Sequence, residues 1–315
     1  MFDVNLTEID KEELNKLYEH LKGEYFTNYI FDLPCVHEGF TYKVVGESLV
    51  AISFDDTAVV NGKVTVPLVF DSIDFVNELG QSLFIGNKNV KELDLGRITV
   101  VKDRMFQNCD NLEKVVGNFV ISINDYAFDN CITLREVNFP LAIQLGNNCF
   151  AKNLNLREAI FPSAKVVGNG AFYNCKNLVK ADLHGVRFVA NNYSNQNMVS
   201  SVFEGCERLS EVDVSGAFAI GPKMFYGCAS LKELRIPLTR VIYEEALAGC
   251  LQLDTLYIDN LSGFKAKSLL SCDNLQFINY YGTRERWNNI LIEDVTELDV
   301  IKKVQVTLDY KDPET

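Results

Sequence analysis

The chain has 315 residues, 47% of them apolar, and a formal charge of −13. That balance excludes a nucleic-acid partner, which needs a basic stripe, and an anionic membrane surface. The apolar share is ample for a large core, and no apolar run approaches the length of a membrane span.

The first predicted element is a helix. Thr7 and Asp10 form a capping-box pattern ahead of Leu14, Leu17, Tyr18 and Leu21 at helical spacing, and Gly23 stops it. Residues 1–35 are read as a helical N-terminal cap, with a docking helix as the alternative. Acids stand between Met1 and Glu8 where a secretory leader needs a basic region, so a cytoplasmic protein is expected. A removed leader would instead make it a surface or secreted protein. Residues 36–75 follow as a β entrance cap, with Phe40–Val45 and Leu49–Ile52 flanking a hairpin turn.

From there the chain repeats every 22 residues: Phe84, Phe106, Phe128, Phe150, Phe172. One step is nine residues too long and reaches Phe203, after which Phe225, Leu247 and Leu269 resume the period. Three residues after each of these stands Cys or Asn, as in Asn87, Cys109, Cys131, Asn153 and Cys175. Six after comes the series Leu112, Leu134, Leu156, Leu178, and five before comes Val101, Ile123, Leu145, Val167. A unit this short cannot bury its own apolar positions. Stacked on copies of itself it forms one continuous core. The period predicts a leucine-rich-repeat solenoid, a β-rich superhelix of short strands in parallel ladders, over residues 76–280. The strand is read in Leu134–Phe139, apolar inward and polar outward. Gly80, Gly146, Gly168 and Gly221 mark a second turn where the backbone needs freedom. The extra nine residues fall within 190–202, an Asn- and Ser-rich loop.

The segments Ile123–Leu134 and Val167–Leu178 resemble the BspA-like class of leucine-rich repeats, whose signature is I-G-x-x-A-F-x-x-C-x-x-L. The stretch around Gly282, Thr283, Trp287 and Ile290 resembles the segment that ends such arrays. The resemblance implies a solenoid that works as a binding module. Residues 281–315 are read as a C-terminal β cap and tail, with Trp287 covering the last coil and Val300–Leu308 as a closing strand.

Seven of the nine cysteines share one repeat column. Parallel side chains at coil spacing do not produce a disulfide dihedral, so they are read as buried, reduced thiols, a cytosolic usage. His20, His37 and His184 lie in unrelated parts of the chain, and no Cys-x-x-Cys pair, nucleophile elbow or phosphate loop occurs. No enzyme, cofactor or metal is expected.

What remains is a surface. Residues flanking the inward strand position face the concave side. The candidates for binding are Glu92, Asp94, Glu136, Asn138, Glu158, Ile160, Asp182, Glu211, Asp213, Glu233, Arg235 and Tyr257, with Tyr193 on the inserted loop. Acids dominate, so the expected partner is a basic protein; a solvated strand face is the plain alternative. The alternatives in function are a surface adhesin and a phage-encoded inhibitor that masks a host protein.

Overall fold

In a computed structural model of the chain, the structure describes residues 35–37, 40–45, 48–54, 59–66, 79–80, 83–187 and 200–309. The expected N-terminal helix, most of the inserted loop and Tyr193 lie outside them. Three antiparallel strands come first: β1 (Cys35–His37), β2 (Phe40–Val45) and β3 (Ser48–Phe54).

Every strand pair beyond that sheet is parallel, as stacking of like coils demands. Strand β4 (Lys63–Thr65) is the first rung of the long ladder and pairs with Glu92–Asp94, which pairs in turn with Lys114–Val116. The ladder therefore begins ahead of Val76. A second ladder of two-residue strands includes Val100–Val101, Ser122–Ile123, Gln144–Leu145 and Val166–Val167. Each coil thus has a long strand, a turn, a short strand and a second turn that carries the Phe column. The inward residues of both ladders and the Phe column fill one continuous core.

The phenyl rings of Phe84 through Phe225 stack coil on coil at 4.9–5.6 Å. The extra nine residues leave this intact: Phe172 and Phe203 stack at 5.5 Å with an 8° tilt. On the far side Lys180–Asp182 pairs in register with Glu211–Asp213.

Two expectations are corrected. Gly146 and Gly168 do not sit at positive φ. They are needed for close approach: a Cβ on Gly168 would lie 2.5 Å from Asn147 N and Gly146 C of the coil below. At the C-terminus, Val300–Leu308 is not one strand. Helix α1 (Arg284–Asn288) is capped by Thr283 and places Trp287 against Tyr280 at 5.4 Å. Helix α2 (Val295–Ile301) then precedes a shorter closing strand, Gln305–Leu308. Glu297, Val300 and Ile301 have helical spacing, and the buried Glu297 carboxylate accepts from Leu269 N at 3.4 Å.

Candidate protein-binding surface

The two turns of each coil expose different chemistry. At the Phe turn the backbone takes left-handed conformation twice. Two residues after the Phe column stand Gly86, Asn108, Asn130, Lys152 and Asn174, all at positive φ. Two residues before it stand Arg104, Tyr126, Asn148 and Gly170, also at positive φ. Every second amide then donates to the next coil: Tyr126 N to Asn147 O, Phe128 N to Cys149 O, Asn130 N to Ala151 O, each at 2.7–2.8 Å. The Phe carbonyls point inward and need partners. Cys109 N donates to Phe106 O within its coil at 3.2 Å, and the thiol of the following coil adds a second bond, Cys131 Sγ to Phe106 O at 3.0 Å.

The thiol bonds recur at Cys109, Cys175, Cys206, Cys228, Cys250 and Cys272. Asn153 replaces the thiol and donates to Phe128 O at 3.0 Å. Eight described cysteines are free and buried. Burial pushes the Cys175 and Cys272 thiols up to about 12, and those of Cys206, Cys228 and Cys250 well above their ordinary value. A thiol held protonated in this way is a poor nucleophile.

The long ladder brings the sequence candidates into two outward rows. Glu92, Glu136, Glu158, Glu211 and Glu233 open their strands; Asp94, Asn138, Ile160, Asp182, Asp213, Arg235 and Tyr257 stand two residues on. Lysines from neighbouring rungs interrupt the acid. Lys63 reaches Glu92 at 2.7 Å, Lys114 pairs with Glu136, and Lys180 lies 3.4 Å from Glu211. The Lys63 hydrogen bond holds the Glu92 carboxyl below its ordinary value. Arg235 covers the Tyr257 ring at 3.8 Å. These cross-rung pairs follow from parallel register, which the alternation of Glu and Lys in one column already signals.

Folding also gathers one set of possible metal ligands that spacing leaves apart. Asp182, His184 and Asp213 place ligand atoms within 4.8 Å of one another, with His184 Nδ1 to Asp182 Oδ1 at 2.7 Å. Both carboxylates also cap turns, accepting from His184 N and Ser215 N as Asp94 does from Gly96 N. That shared role accounts for the acids without an ion.

The geometry defines a parallel-β solenoid built from one repeated coil. A model of the BspA type Leucine rich repeat region matches in six copies, over residues 69–180, 99–215 and 191–298, and the chain belongs to this family. Leucine-rich-repeat families are generally protein-interaction modules. Among solved structures, the chain is similar to a leucine rich cell surface protein from Faecalibacterium prausnitzii. Identity is 16%, over 83% of this chain and 98% of that one, with a TM-score of 0.39. A leucine-rich repeat protein from Bacteroides ovatus is 16% identical over 87% and 99%, with a TM-score of 0.41. The T. pallidum leucine rich repeat protein is 18% identical over 86% and 97%, with a TM-score of 0.43. A search of the curated proteins finds no match. Among the described residues no helix is long and apolar enough to cross a membrane.

Proposed function

We propose that the protein is a non-catalytic binding module that takes a partner protein on the outward face of its long ladder. The observation that carries this reading is register. Parallel rungs such as Glu158–Ile160 and Lys180–Asp182 hold outward side chains from successive coils in fixed rows, over one continuous buried core. Such a surface is pre-organised, so little ordering entropy opposes binding. The row containing Glu136, Glu158 and Glu233 suits a basic partner, with Ile160 and Tyr257 as anchors. A cytoplasmic setting is part of the proposal, supported by the free, buried cysteines.

The test is a partner captured from native lysate and then measured in isolation. Glu136→Lys with Glu158→Lys is expected to slow its association more than it speeds dissociation, because charge steers encounter. Deleting 191–199, which restores the 22-residue step, is expected to leave folding intact and to weaken binding. Unchanged binding by both variants would place the functional face elsewhere.

A further inference from the structure

The long strands do not form one sheet. They fall into three: Lys63–Thr65 through Glu136–Asn138, then Glu158–Ile160 through Glu211–Asp213, then Glu233–Ile236 through Gln305–Leu308. The rest of the coil runs on across both boundaries. Phe128 and Phe150 stack at 5.1 Å across the first, and Phe203 and Phe225 at 5.4 Å across the second. Phe128 N still donates to Cys149 O, and Phe203 N to Met224 O. The short ladder also crosses the first boundary, with Gln144–Leu145 paired to Ser122–Ile123.

Only the long-strand side opens. Within a sheet each strand is tied at both ends, as by Glu136 N to Glu113 O and Gly117 N to Asn138 O, or by Lys180 N to Arg157 O and Phe161 N to Asp182 O. At the first boundary the corresponding amides, Glu158 N and Phe139 N, have no such acceptor among the described residues. Burial marks the same two places. The inward residues Val115, Ala159 and Leu234 are buried, whereas Val137 and Val212, on the last strand before each boundary, are only partly buried. The first boundary has a steric cause. The residue after the strand is Phe139 in one coil and Phe161 in the next, and their rings lie 6.5 Å apart. Paired strands are about 4.8 Å apart. Two rings in one column therefore hold these coils wider on the long-strand side than at the Phe column. Phe139 cannot retreat, because its ring already fills the space beside Gly117, where a Cβ would lie 2.7 Å from it.

We propose that the solenoid is three stiff blocks joined by two bending joints, which pivot on the Phe turn and open or close on the long-strand face. Paired register fixes the outward rows within a block. Their spacing changes only at the joints, so Glu136 moves relative to Glu158, and Asp213 relative to Arg235. Strand edges at an open joint hydrogen-bond to solvent, so bending there breaks no ladder bond, whereas bending inside a block must break several. Tethers limit the first joint: Asn155 Nδ2 donates to Ile132 O at 3.0 Å at one end of the slit, and Ser163 Oγ to Pro140 O at 2.8 Å at the other. The device belongs to the bare chain and stands apart from what the face binds.

The test uses the whole chain. Hydrogen exchange resolved to single amides should find Phe139 and Glu158 less protected than Gly117 and Lys180 by about tenfold or more, after correction for local sequence. Paired spin labels then separate a bending joint from a static slit. Lys63→Cys with Glu136→Cys spans three rung intervals inside the first block. Lys114→Cys with Lys180→Cys spans three intervals across the first joint. In a Cys35→Ser background the remaining native cysteines are buried, so the labels go to the introduced thiols. The pair across the joint should give a distance distribution about twice as broad as the pair within the block. Lys180→Cys with Thr255→Cys, across the second joint, should be equally broad. Equal protection of the four amides would overturn the proposal. So would equal widths within and across the joints, even with fast exchange, since the slit would then be rigid.

Discussion

The two turns of a coil solve opposite problems. The Phe turn must bury a ring, satisfy an inward carbonyl and pass two residues per coil through left-handed conformations at set places, so its residues are dictated. Cys131 on the Phe106 carbonyl, and Cys175 on the Phe150 carbonyl, are the same answer given twice. The opposite turn closes with one backbone bond and one buried side chain, as at Val120 or Ala142. Its other positions are less constrained by the core, and there large apolar groups such as Phe119 and Leu141 are exposed. Uniform columns therefore report the scaffold, and the columns that vary report the use.

The sharpest way to break that contrast is Phe128→Ala. It removes a ring stacked on Phe106 at 4.9 Å and Phe150 at 5.1 Å, so a cost of about 3–5 kcal/mol is expected in denaturant unfolding. An unchanged midpoint would remove the Phe turn from the core.

A titration in base probes the same turn. Cys175 is held at about 12 in the folded chain against an ordinary value of 9.0. Between those values the unfolded chain has lost the proton and the folded chain keeps it. Stability is therefore full below about pH 9 and falls as pH rises toward 12, by about 1.4 kcal/mol per pH unit for one such thiol. Thermal melts from pH 8 upward should show a shallower decline in Cys175→Ala than in the parent; equal slopes would mean the thiol is not sealed.

Gly168→Ala is expected to cost about 1–3 kcal/mol by overpacking, since its Cβ would press on backbone that cannot rotate away. A neutral result by chemical denaturation would return that glycine to the role of a flexible turn. The smallest effect belongs to the open turn. Phe119→Ser should change unfolding free energy by no more than about 0.5 kcal/mol, as exposed substitutions do.

Much of this was legible beforehand because repetition amplifies weak signals. One Phe and one Cys say little; the same pair at a 22-residue step fixes a stacked coil, its strand and its buried column. The Gly and Asn residues two after the Phe column, such as Asn130 and Gly205, could have disclosed one left-handed position. The other was hidden, because Arg104, Tyr126 and Glu245 occupy it without any preference for it. Its geometry is imposed by hydrogen bonds from coil to coil, a tertiary cause with no local mark. The close approach at Gly168 was hidden for the same reason. At the C-terminus, Val304, Val306 and Leu308 alternate strongly enough to lend their pattern to Val300 and Ile301, which belong to a helix. The acidic rows were readable from strand alternation, and their pairing with Lys114 and Lys180 needed the register.

The most direct test is an aspartate scan through one coil, residues 117–138, read as resistance to proteolysis. Asp at Val120, Ile123, Phe128, Cys131 and Leu134 should abolish resistance, because each is fully buried. Asp at Phe119 and Ile121 should be tolerated close to the parent level. Loss of resistance at Phe119 and Ile121 equal to that at Phe128 would contradict the account, since the open turn would then be part of the core.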